Sequence, residues 1–126
     1  MLASRLERFL LSSIDSVEQC EILVNMQGEP ARWWTPKELS QELYLSESPT
    51  ARDLEVLTGR GFLDVRAIDE VRYRIGPISG DAAQALADLV EAYRSNRVEV
   101  LSVIVRRKGR SIQHFAEAFD FRKDRS

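Results

Sequence analysis

Five arginines, Arg52, Arg60, Arg66, Arg72 and Arg74, fall between Ser46 and Ile75. A guanidinium is permanently charged and offers its N–H groups as a flat fork, so such a set points to recognition of phosphates or carboxylates. Six acids, Glu47, Asp53, Glu55, Asp64, Asp69 and Glu70, share the stretch and bring its net charge to −1. Partner binding must therefore rest on local patches, not on a broad positive field. Alternation puts Arg72 and Arg74 on one strand face, away from Val71, Tyr73 and Ile75.

Other reactive types are sparse. Cys20 is the only cysteine and His114 the only histidine, so an internal disulfide, a thiolate metal site and metal-ligand spacing are all excluded. Cys20 shares a helical stripe with Val17 and Val24 and reads as core. There is no nucleophile elbow, glycine-rich phosphate loop or metal cluster, and the carboxylates are those that solvate helices, so no enzymatic activity and no cofactor are expected. Trp33 and Trp34 suggest an aromatic cage, but no further aromatic stands close in sequence to close one. Trp34 reads as a core residue stapling a helix start, and Trp33 points elsewhere, toward a subunit contact.

The elements that position these residues follow from hydrophobic spacing and punctuation. Leu6, Phe9 and Leu10 predict a short helix over 2–11, packed within the molecule or on a second copy. Val17, Cys20, Leu23 and Val24 predict a helix from Asp15 or Ser16 to Gln27, stopped by Gly28. At Trp34-Thr35-Pro36-Lys37-Glu38-Leu39, Thr35 suits an N-cap, Pro36 the first helical position and Glu38 the return bond of a capping box. Ser46 is the expected cap of a following helix that ends at Arg60 and Gly61, with Leu54 and Leu57 turned inward. Residues 62–65 and 71–75 alternate as strands, joined by 67–70.

Gly76 to Gly80 break the pattern. Apolar positions then recur from Ala82 to Ile104, and one helix over 81–107 is the simplest reading, with Ser95-Asn96 as the place for a kink or break. Such a rod is about 40 Å long at about 1.5 Å per residue. A chain of 126 residues has little to cover it, which predicts a homodimer. Ile112, Phe115, Ala116 and Phe119 form a last amphipathic stripe, followed by Arg122 and Lys123.

A capped helix, a turn, a second capped helix and a hairpin follow the order of a winged helix-turn-helix. Trp34-Thr35-Pro36, the Leu45-Ser46 to Leu54 helix entry and Arg60-Gly61-Phe62-Leu63 resemble the bacterial winged helix-turn-helix regulators over about the middle half of the chain. The ending from Ser111 to Lys123 is similar to the tail of a group of small bacterial proteins of unassigned function. The expected fold is mainly α with a small β-hairpin: a helical arm (1–13), a winged helix-turn-helix (14–76) and a C-terminal helical extension (77–126). The resemblance implies a DNA-binding transcriptional regulator that turns Ser48, Thr50, Ala51 and Arg52 toward base edges, with Glu55 beside them. It makes Arg66, Arg72 and Arg74 wing or phosphate contacts on double-stranded DNA.

Composition and charge leave a second expectation open. Hydrophobic residues make up 44% and charged residues 30%, with a net charge of −2. Residues 100–126 carry seven basic groups and three acids, a net of +4, against −6 for the first 99. Ile112, Phe115, Phe119, Arg122 and Lys123 suit a protein groove better than a membrane. With Glu47 at the helix start and Asp69-Glu70 at the wing tip, a protein-protein interaction module that does not bind DNA is the alternative. The apolar run 98–105 contains Glu99 and Ser102 and is too short to span a bilayer, so a cytoplasmic protein is expected.

Overall fold

The computed structural model describes residues 2–106. Four helices come first: α1 (Ser4–Ser13), α2 (Val17–Gly28), α3 (Pro36–Leu43) and α4 (Glu47–Gly59). The antiparallel hairpin β1 (Leu63–Ile68) and β2 (Glu70–Ile75) follows, then α5 (Gly80–Ser95) and a last helical segment, α6 (97–106). The fold is mainly helical with one two-stranded hairpin, a winged helix-turn-helix with helices before and after it. His114 and the stripe from Ile112 to Lys123 lie outside the described residues.

Helix α2 is the centre of the core. Cys20, Ile22, Leu23 and Met26 are all fully buried, while Val17 and Val24 are only partly so. The single inward stripe expected for this helix is therefore too narrow, because α3, α4, α5 and β2 all pack around it. Leu2, Leu6 and Leu10 of the N-terminal segment join the same cluster, and Phe9 meets Phe62 edge to face at 5.6 Å. The first helix thus buries its apolar face within its own chain.

The start of α3 is as expected. Thr35 Oγ1 accepts from the Glu38 N–H at 3.1 Å, and Glu38 Oε1 accepts from the Thr35 N–H at 2.9 Å. The helix ends at Tyr44, which takes a left-handed backbone (φ 56°) while its side chain is 95% exposed. Leu45 N–H closes the turn onto the Ser40 carbonyl at 2.8 Å. Ser46 is the N-cap of α4 in position, but its hydroxyl makes no cap bond; its carbonyl accepts from the N–H and the hydroxyl of Thr50.

The hairpin runs further than its alternation suggests. Pairing continues from Leu63↔Ile75 to Ile68↔Glu70, leaving Asp69 alone at the turn with φ 65°. Aspartate tolerates this left-handed conformation better than most residues, so a four-residue connection is not needed. Trp34 adds one antiparallel bridge to Tyr73, through N–H to carbonyl bonds of 2.7 and 2.8 Å. That bridge ties the residue before α3 to the wing.

The single helix over 81–107 is not formed. The chain breaks at Asn96, whose N–H bonds back to the Ala92 carbonyl while its own carbonyl accepts from Val100. Asparagine favours helix ends, and here it closes one helix and opens the next. Val100, Val103 and Ile104 then return to the common core, and α6 lines a cleft with Leu2 and Glu7. No 40 Å rod is left uncovered, so helix length no longer argues for a dimer.

Candidate nucleic-acid interface

The outer face of α4 is a stripe at i, i+4 and i+7. Ser48, Arg52 and Glu55 are exposed along it, and Ala51 is half-buried beside them. Arg52 makes no ion pair or hydrogen bond among the described residues, even though Asp53 and Glu55 are near in sequence. Its donors are open to a ligand.

Thr50, expected toward base edges, is packed inward instead. At about 100° per residue it sits on the side of α4 opposite Ser48, and it is 1% exposed. Its hydroxyl donates to the Ser46 carbonyl at 2.8 Å. Packed this way, it braces the helix entry and has no face to offer a base.

Arg60 and Arg72 are occupied. Arg60 donates to the Ser13 carbonyl at 2.6 Å and to Asp15 at 2.8 Å, and reaches Gln19 Oε1 at 3.5 Å. Gln19, buried, also accepts from the Asp15 N–H and donates to Asp53 Oδ1. Burial pushes the Asp53 carboxyl up from its ordinary value, and the Gln19 bond opposes that rise. This hub locks α4 to the start of α2. Arg72 lies 3.2 Å from Glu70 and 3.6 Å from Glu38, so its charge is balanced within the protein and the phosphate contact expected of it would compete with two carboxylates.

Arg66 and Arg74 have a different partner. Their guanidinium carbons lie 4.5 and 4.4 Å from the centre of the Trp33 ring. Sequence alone turns Trp33 toward a subunit contact; in the structure its half-buried ring is against the Arg66 and Arg74 guanidinium groups on the outer face of the hairpin. Trp34 itself is buried, with the Arg32 guanidinium 3.5 Å above its ring. Arg66 is exposed, Arg74 is half-buried, and neither has an ion pair or hydrogen bond among the described residues. Asp64 is directly across from Arg74 in register but forms no ion pair with it. The sequence offers the ring, in the aromatic pair Trp33-Trp34, but no local pattern that joins it to Arg66 and Arg74.

The tip of the wing has the opposite character. Ile68 is 66% exposed, beside Asp69 and Glu70, and Val65 and Val71 are exposed on the other face. Elsewhere the chemistry is quiet. Burial pushes the Cys20 thiol up to about 12, which makes it inert at neutral pH. Among the described residues no group of three or more His, Cys, Asp or Glu is placed to hold a metal ion, and no helix is long and apolar enough to cross a membrane.

A helix with an unpaired arginine on its outer face, followed by a hairpin with two more, completes the geometry of this winged helix-turn-helix. No family model matches the sequence, and no curated protein does. Among solved structures the chain is similar to the transcriptional regulator MosR of M. tuberculosis, at 24% identity over 90% of this chain and 84% of that one, with a TM-score of 0.55. It is also similar to the transcriptional regulator Tm0710 of Thermotoga maritima (16% identity, 96% and 85% covered, TM-score 0.54). A MarR family protein of Bacillus stearothermophilus shares the fold at 18% identity (90% and 83% covered, TM-score 0.52). At such identities the likeness is one of fold.

Proposed function

We propose that the chain is a DNA-binding transcriptional regulator that presents α4 to the major groove and the hairpin to the flanking backbone. The observation that carries this reading is Arg52, exposed and unpaired on the outer stripe of α4. Ser48 and Ala51 complete the surface offered to base edges, with Arg66 and Arg74 as phosphate contacts. The fold shared with two transcriptional regulators supports the reading. Arg52→Glu abolishes binding to a labelled duplex in a low-salt anisotropy titration; unchanged affinity removes α4 from the interface.

The regulator acts as a homodimer in the cytoplasm. Val98 and Val105 are 78% and 55% exposed and seven residues apart, so they share one face of α6, with exposed Ser102 between them, suited to a second copy. The C-terminal extension, with Ile112, Phe115, Phe119, Arg122 and Lys123, follows that helix in sequence as a further partner surface. One observation favours a protein-binding module instead: the hairpin tip is apolar and acidic, with Ile68, Asp69 and Glu70 where a duplex would favour cations.

A further inference from the structure

We infer that Trp33 is a positioning residue that gathers Arg66 and Arg74 into one phosphate clamp on the outer face of the wing, so that a duplex is gripped there and not at the wing tip. The inference rests on the DNA-binding reading and adds to it the place and the means of backbone contact. Both guanidinium carbons are within cation–π reach of one indole, so they lie within about 9 Å of each other. Two like charges at this separation repel, and the negative face of the ring offsets part of that repulsion.

The geometry leaves the donors open. A guanidinium held over a ring is attracted through its flat face, while its N–H groups point outward in its own plane. Those are the groups that meet phosphate oxygens, singly or as a fork. A long side chain loses rotamer freedom when it is fixed on a ligand, and holding it in place beforehand lowers that loss. Arg72, on the same face of the hairpin, takes up Glu70 and Glu38, which keeps those two carboxylates from neutralising the pair. At the tip of the hairpin, Asp69 and Glu70 repel a backbone.

The test uses the full chain and a labelled duplex, with affinity measured over a series of salt concentrations. Arg66→Gln and Arg74→Gln each take about 0.9 off the slope of log affinity against log salt, the share of one phosphate. Trp33→Leu weakens binding several-fold, and Trp33→Tyr, which keeps a ring face, restores most of it. In the Arg66→Gln/Arg74→Gln background, Trp33→Leu has no further effect, because the residue acts through the two arginines. A tryptophan with a merely structural role costs the same in both backgrounds, and that result overturns the clamp. Unchanged slopes in the arginine variants, with wild-type binding intact and Arg52→Glu inactive, overturn it while leaving the DNA-binding reading in place. Absence of wild-type binding at every salt concentration removes both.

Discussion

Arg52 and Arg72 carry the same charge, yet only Arg52 is open to a ligand. The difference lies in where the neighbouring acids turn. Arg72 faces Glu70 on its own strand and Glu38 at the start of α3, whereas Asp53 turns inward to Gln19 and leaves Arg52 without an ion pair. Glu38 has a second task, since it closes the capping box of α3. The Thr35 backbone N–H, more than Arg72, holds its carboxyl below the usual glutamate range. A carboxyl with a lowered folded-state pKa adds stability that is complete above its unfolded value and lost as pH falls through the folded one. Denaturant unfolding of wild type and Glu38→Gln therefore differs at neutral pH and converges in acid; a gap that persists well below the glutamate range contradicts this. Thr35→Ala, which removes the other half of the box, costs about 1 kcal/mol in the same measurement. The capping box was legible because its four residues are contiguous. The Trp33 stack was not, because it joins residues 33, 66 and 74 through a bridge that no local pattern announces.

Each helix carries its own periodicity, and its faces are legible as far as that periodicity reaches. The opposite sides of α4 hold Ser48 and Thr50, so helix geometry alone separates an exposed residue from a packing one. The superfamily pattern places both on one surface, and burial corrects it. Residues 81–107 have apolar positions throughout, which reads as one rod until Asn96 turns the chain back onto its own core. The break is foreshadowed by Ser95-Asn96, but α6 then joins a core that includes Leu2, Leu6 and Leu10, which lie far away in sequence. The large apolar side chains that α6 leaves exposed are Val98 and Val105. Light scattering gives twice the chain mass for the wild type and the single mass for Val98→Asp. A wild-type monomer at micromolar concentration contradicts the proposed pairing.

The molecule as a whole is acidic, and its candidate interface is built from a few unpaired arginines on a winged helix. A net charge of −2 opposes long-range attraction to DNA, so the proposed function rests on short-range contacts from Arg52 and the proposed Trp33 clamp. The order of helices and hairpin was legible from caps, breaks and alternation, which are local. The use of each arginine was not, since it is decided by acids and rings that only the tertiary fold brings near. The most direct measurement is fluorescence anisotropy of a labelled, unrelated duplex titrated with the purified full chain at low and at near-physiological salt. Binding at low salt that collapses as salt rises is the predicted result, because neutralised phosphates release counterions. No binding at low salt contradicts a phosphate-contacting surface and moves the wing, with its exposed Ile68 and acidic tip, to a protein partner.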